Sequence, residues 1–193
     1  LPICLYGDSP HISAEILSGL DIIVFDIQDV GARFYTYLYT LSYAMADCAA
    51  ANKRVVVLDR INPIGRKIEG TVLDPSFRSF VGRFPIATRY GLTIGEYARY
   101  INDSEQIGCN LSVISAEGWN GCCYDETDLA WVMPSPNLPT IDSCLCYIGT
   151  CLAEGTNLSE GRGTTKPFEL IGAPWLSAKR IADELNEQNL PGV

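Results

Sequence analysis

Histidine is almost missing from this chain: among 193 residues only His11 carries an imidazole. Gly7-Asp8-Ser9 followed by His11 has the outline of an esterase nucleophile block. A Ser/His/Asp mechanism, however, needs an imidazole placed separately against the hydroxyl, and no histidine follows His11. Metal ligands are scarce as well. The eight cysteines, at 4, 48, 109, 122, 123, 144, 146 and 151, include no CxxC pair of the zinc type. Several lie in apolar runs, where a free thiol behaves as a small hydrophobe. Nucleotide fingerprints are missing too: there is no GxxxxGK[ST], and no GxGxxG follows a strand. No metal and no cofactor is therefore expected. Basic residues are outnumbered, 14 against 23 acidic ones for a net charge of −9, and form no cluster, which argues against nucleic acid as a partner. No run reaches the roughly 18 apolar residues of a membrane helix, and no signal peptide is visible.

What is present is a core-forming composition, 47% hydrophobic, arranged in alternating strand and helix patterns. Leu20 to Ile27 (LDIIVFDI) is a continuous apolar run, read as a parallel strand buried on both faces, with Asp26, Gln28 and Asp29 at its carboxyl end. Tyr35 to Ala51 reads as a helix, and Arg54 to Asp59 (RVVVLD) as a second buried strand ending in an acid. From Asn62 to Tyr90 the chain is punctuated by Gly and Pro and reads as a long loop. Thr93 with Glu96 three residues on predicts a capping box opening a helix over Ile94 to Ile101. Cys109 to Ile114 is a third strand, Trp131 to Thr140 is kept irregular by three prolines, and Ile141 to Ala153 is a helix. Ser177 begins a last amphipathic helix with Leu185 on its apolar side. The fold class is α/β: a Rossmann-like, mostly parallel sheet flanked by helices, with the start of a second, smaller α/β domain. The expected division is 1–153 and 154–193. Leu1 to Tyr6 reads as a strand entering a turn at Gly7-Asp8-Ser9-Pro10, and Leu190-Pro191-Gly192-Val193 as the approach to another strand, so the chain reads as an internal piece of a longer protein.

In such sheets ligands bind beyond the carboxyl ends of the strands. Asp26, Asp29, Asp59, Glu69, Glu96, Glu154, Glu160 and Glu169 lie in or beside loop motifs. Short acidic side chains often serve caps and turns, and Glu96 is taken by the capping box. Gly161-Arg162-Gly163 is either an anion-binding nest or a tight turn. Tyr35, Tyr37, Tyr90, Trp119, Trp131 and Trp175 are either sugar platforms or core aromatics.

Val24 to Tyr37 (VFDIQDVGARFYTY), Leu58 to Gly65 (LDRINPIG), Glu69-Gly70, Arg89 to Glu96 (RYGLTIGE), Trp131 to Thr140 and Gly149 to Phe168 (GTCLAEGTNLSEGRGTTKPF) together resemble one family, the exo-β-N-acetylmuramidases. The resemblance implies a Rossmann-like domain followed by a smaller one, with the active cleft between them. It implies a glycoside hydrolase that releases N-acetylmuramic acid from the non-reducing end of peptidoglycan fragments in cell-wall turnover and recycling, without a nucleotide. A secreted, periplasmic or cell-envelope location goes with it. The family's proposed catalytic glutamate lies in a Gly-Pro-Glu-His-Gly stretch expected upstream of Leu1. By the same resemblance Asp26, Asp29 and Glu160 are candidates for a second catalytic carboxylate. Gln28, Arg33, Tyr35, Asp59, Arg60, Asn62, Asn137, Glu154, Asn157, Ser159 and Arg162 would bind substrate, with Arg162 or Arg33 gripping the lactyl carboxylate. Tyr90 stands where the family usually has His, and Ile61 where it has Pro. A non-catalytic muropeptide-binding protein of the same fold is the alternative; a nucleotide-dependent oxidoreductase or transferase has only fold analogy behind it.

Overall fold

The structure is a computed structural model and describes residues 4, 5 and 9–190. The strand expected over Leu1–Tyr6, the turn opening at Gly7 and the strand approach at Pro191–Val193 lie outside the described residues, apart from short pieces without regular structure. A short helix, α1 (Ala14–Ser18), is capped by Ser13 and leads into β1 (Ile22–Phe25). Helix α2 (Tyr37–Ala50) and strand β2 (Arg54–Leu58) complete the βαβ unit read from the sequence. After a hairpin of β3 (Glu69–Val72) and β4 (Ala87–Arg89), helix α3 (Ile94–Ser104) leads to β5 (Asn110–Ile114). Helices α4 (Ile141–Thr150) and α5 (Ala178–Glu187) lie in the last third.

Strands β1, β2 and β5 form a parallel sheet in the order β1-β2-β5, with Phe25 beside Val57 and Val57 beside Val113. Side chains alternate across a strand, so Phe25, Val55 and Val57 share a face with Ile23, Leu111 and Val113. That face packs against Leu38, Leu41, Met45 and Cys48 of α2 and Tyr97, Ala98 and Ile101 of α3. Each such side chain contributes on the order of 1.5–3 kcal/mol when fully buried. The other face is open in the described chain: Ile22, Val24 and Ile114 are 44%, 59% and 59% exposed. The expectation that the first strand is eight residues long and buried on both faces is corrected. It spans four residues and buries one face, because no described element packs on the other.

Residues 62–90 are not simply a loop. Strands β3 and β4 pair antiparallel, with Glu69 opposite Arg89. All four residues of β3 are exposed, so the segment carries no alternating apolar pattern that would have marked it. Arg89 and Glu69 form an ion pair at 2.6 Å, and Arg33 Nη1 donates to the carbonyls of Thr71 and Ile86, tying the hairpin to the loop after β1.

The capping box is formed as read: Thr93 Oγ1 accepts from Glu96 N at 3.1 Å, and Glu96 Oε2 accepts from Thr93 N at 2.9 Å. Helix α4 stops at Thr150 and tightens into a 3₁₀ turn over Cys151–Gly155. A second core of Val30, Ala32, Ile64, Leu138, Cys144, Tyr147 and Phe168 joins the post-β1 and post-β2 loops to the last third of the chain. Helix α5 is capped by Ser177, but Leu185 is 42% exposed and none of its residues is buried.

Candidate active site

The carboxyl ends of β1 and β2 open into a crevice. Asp26, Ile27 and Gln28 follow β1, Arg60 follows β2, and together with Tyr37, Tyr124, Met133 and Pro134 they line a cavity of about 340 Å³. Arg60 Nε donates to Asp26 Oδ1 at 2.7 Å, and both side chains are nearly half exposed. Gln28 Nε2 donates to the carbonyls of Asp29 (2.8 Å) and Ile61 (3.1 Å), so its amide fixes the two strand-end loops to each other.

A second cavity of about 350 Å³ lies alongside, lined by Phe34, Tyr35, Ser135, Tyr147, Cys151, Glu154 and Arg162 among others. The divide between the two is aromatic: the Tyr35 and Tyr37 rings meet edge to face at 4.8 Å, and both hydroxyls donate to Pro134 O at 3.4 Å. The Trp131–Thr140 segment supplies Pro134 to one cavity and Ser135 to the other. Freed from helix and strand by its prolines, that segment can follow the cavity wall. In the second cavity Arg162 is ion-paired to Glu154 and lies 3.4 Å from Glu160, with its guanidinium 5.4 Å from the Phe168 ring centre. Burial pushes the Cys151 thiol up to about 12, so the thiol is neutral there. The Tyr147 hydroxyl is also raised by burial.

Two family models match the chain end to end: exo-beta-N-acetylmuramidase NamZ, N-terminal, over residues 2–142, and its C-terminal counterpart over residues 145–193. The chain belongs to the exo-β-N-acetylmuramidase NamZ family. It is 49% identical over 191 residues to the peptidoglycan beta-N-acetylmuramidase NamZ of Bacillus subtilis (strain 168), an alignment covering 98% of this chain and 46% of that protein. A crystal structure of a DUF1343 family protein from Bacteroides fragilis NCTC 9343 superposes with a TM-score of 0.90 at 42% identity, covering 97% of this chain and 50% of that one. A second DUF1343 protein from the same organism gives 0.79 at 37% identity, covering 86% and 48%. The chain thus spans about half the length of the relatives it matches.

Within this NamZ-family chain the residues singled out from sequence fall into three groups. Asp26, Gln28 and Arg60 line the first cavity; Tyr35, Glu154 and Arg162 line the second, with Glu160 behind Arg162. The third group is committed to the framework. Asp59 accepts from Thr93 Oγ1 (2.9 Å) and Gly95 N (2.7 Å), holding the start of α3. Asn62 is buried, donating to Leu92 O and accepting from Ile64 N. Arg33 is spent on the hairpin carbonyls, so its guanidinium is tied to the hairpin and not presented to either cavity. Asn137 N donates to Ser135 Oγ, Ser159 Oγ accepts from Gly161 N, and Asn157 is exposed; none of the three lines a described cavity.

Asp29 belongs to neither cavity. It is buried, with Oδ2 accepting from Gly31 N at 2.8 Å and from the Tyr90 hydroxyl, while Oδ1 has no hydrogen-bond partner among the described residues. Burial lifts its pKa to about 6, more than those hydrogen bonds lower it. Gly31 has φ +80, and a Cβ there would run into Asn62 Oδ1 and Ile64. Among the proposed sugar platforms Tyr37 lines a cavity, Tyr90 is core, Trp119 lies under the Arg66 guanidinium at 4.6 Å and Trp131 packs on Tyr124 at 5.1 Å. Sequence reasoning missed Tyr124, Phe34 and Tyr147. Tyr147 sits three residues after buried Cys144 on the inner side of α4, the same signal that a core residue gives. Among the described residues Cys123, Asp125 and Glu126 bring metal-type donor atoms within 4.8 Å of one another, but Glu126 spends an oxygen on Cys123 N at 2.8 Å to close a turn.

Proposed function

We propose that this chain builds much of the substrate cleft of a glycoside hydrolase that releases N-acetylmuramic acid from the non-reducing end of peptidoglycan fragments. One observation supports the reading above the others. A chain of this family carries one cavity at the carboxyl ends of β1 and β2 and a second across the Tyr35–Tyr37 pair, lined between them by carboxylates, guanidinium groups and tyrosine rings. Carboxylates and guanidinium groups bond sugar hydroxyl, amide and carboxyl groups, and aromatic faces pack on pyranose rings.

Glycoside hydrolysis generally uses two carboxyl groups, one giving a proton to the departing oxygen and the other acting on the anomeric centre directly or through water. Asp26 is the candidate that opens onto the strand-end cavity. Glu160 is nearly buried and held by Arg162, which suits a carboxylate kept in one orientation. Asp29 sits behind the cleft, where it shapes the post-β1 loop through Gly31 and Tyr90.

The test is release of N-acetylmuramic acid from its chromogenic glycoside, and from a disaccharide carrying that sugar at the non-reducing end, by the full-length protein beside this 193-residue chain. The full-length protein is expected to hydrolyse both, and Asp26→Asn in it to lose at least tenfold in rate. Tight sugar binding by both proteins without hydrolysis by either would replace this reading with that of a binding protein.

A further inference from the structure

The two cavities are nearly equal in volume, about 340 and 350 Å³, and share the divide made by Tyr35, Tyr37 and the Pro134–Ser135 backbone. Both lie at the small end of ligand sites, with room for one sugar ring each. What separates them is charge. The first holds one acid and one base, Asp26 and Arg60, 47% and 44% exposed. An exposed pair of this kind is held weakly, so an incoming carboxylate can take Arg60 from Asp26 and find a charge-assisted, forked partner.

The second cavity holds one guanidinium between two carboxylates. Arg162 is already engaged by Glu154, which lines the cavity, and approached by Glu160 at 3.4 Å. The cluster sums to one net negative charge. The remaining polar lining is neutral: Tyr35, Thr36, Ser135, Tyr147 and Cys151. A carboxylate entering there meets like charge and an arginine with its fork occupied. Hydroxyl and acetamido N–H groups, by contrast, meet acceptors, and Phe34, Tyr35 and Tyr147 offer ring surface.

We infer that the cleft sorts its substrate by charge: the strand-end cavity of Asp26 and Arg60 takes the acid-bearing muramic unit, and the Glu154–Arg162 cavity takes an uncharged N-acetylhexosamine. The inference rests on the glycosidase reading above and names which sugar goes where. Arg162 then acts as a positioning residue for Glu154 and Glu160, and the lactyl carboxylate is met by Arg60. The bond joining the two rings crosses the Tyr35–Tyr37 divide.

Calorimetric binding of N-acetylmuramic acid and of N-acetylglucosamine, each alone, to the 193-residue chain and its variants tests this. Arg60→Gln is expected to weaken N-acetylmuramic acid roughly tenfold or more and to leave N-acetylglucosamine unchanged. Glu154→Gln and Tyr147→Phe are expected to do the reverse. Raising salt is expected to weaken N-acetylmuramic acid alone, because only that sugar carries a charge to be screened. Should Glu154→Gln fail to fold, Tyr147→Phe, which keeps the buried ring, decides the matter. Loss of both sugars on the same variant, loss of N-acetylmuramic acid on the Tyr147 change but not the Arg60 change, or indifference of both sugars to every variant would each overturn the assignment. Binding of neither sugar by the unaltered chain would overturn the sorting, while the glycosidase reading stands or falls on hydrolysis by the full-length protein.

Discussion

Asp29 shows how one residue's chemistry is set by neighbours far away in sequence. Its ordinary value of 3.8 is lifted to about 6 by burial, against the pull of Tyr90, Gly31 and Val30. A carboxyl so raised holds its proton more tightly in the folded than in the unfolded chain. The associated stability is fully present below about pH 4 and is lost as pH rises through 6, by on the order of 2–3 kcal/mol at neutrality. Asp29→Asn removes that titration, so urea unfolding of the variant is expected to vary less between about pH 4 and 6.5 than that of the parent. Equal pH dependence would show that Asp29 does not carry the effect. Tyr90→Phe deletes the hydroxyl that serves the ionised form. It is expected to cost about 1–3 kcal/mol at pH 7 and less at pH 4, measured the same way. Asp29 and Tyr90 both stood out in the sequence, one for its place after a strand and the other as a departure from the family pattern. Neither signal said that they touch.

At the scale of elements, the entry to α3 joins local and distant information. The Thr93–Glu96 box was legible because its two bonds span three residues; the clamp of Asp59 on Thr93 Oγ1 and Gly95 N was not, because it reaches 34 and 36 residues. Thr93→Ala removes both contacts of the hydroxyl and is expected to cost about 1–2 kcal/mol in chemical denaturation. Gly95→Ala sets two effects against each other. Helix propensity favours alanine by about 1 kcal/mol, but an added Cβ would stand 2.5 Å from Val113 Cγ1 and 2.7 Å from Asp59 Cγ. Overpacking against a strand costs about 1–3 kcal/mol, so packing wins and the variant is expected to melt lower than the parent. The β3–β4 hairpin escaped the sequence reading for the opposite reason. Its strands are three and four residues long, and they are held by Arg33 and Arg89, not by an apolar stripe.

For the whole molecule, the open face of the sheet has consequences in solution. Ile22 and Val24 on β1 and Ile114 on β5 present exposed aliphatic side chains on the side away from α2 and α3. Exposed aliphatic side chains on an unpacked sheet face bind hydrophobic dyes and promote association. The 193-residue chain is expected to enhance anilinonaphthalene sulfonate fluorescence and to scatter light in a concentration-dependent way. Val24→Thr with Ile114→Thr, which keeps β-branched residues in the strands, is expected to lower both. Unchanged dye binding would locate the apolar surface elsewhere, with Trp175 and α5 the next places to look.

The sequence by itself determined the parallel α/β order and the capping box, because these depend on periodicity and spacing along a few neighbouring residues, and it carried the family resemblance in long segments that occur in order along the chain. Only the tertiary structure decided which candidate residues share a cavity and which hold the frame. Burial and charge pairing are set by side chains brought together across the chain, Asp26 with Arg60 over 34 residues, Asp29 with Tyr90 over 61, and Tyr35 with Pro134 over 99. A carboxylate's part in the cleft follows from the groups that surround it, and those are placed by the packing of strands and loops that no local pattern encodes.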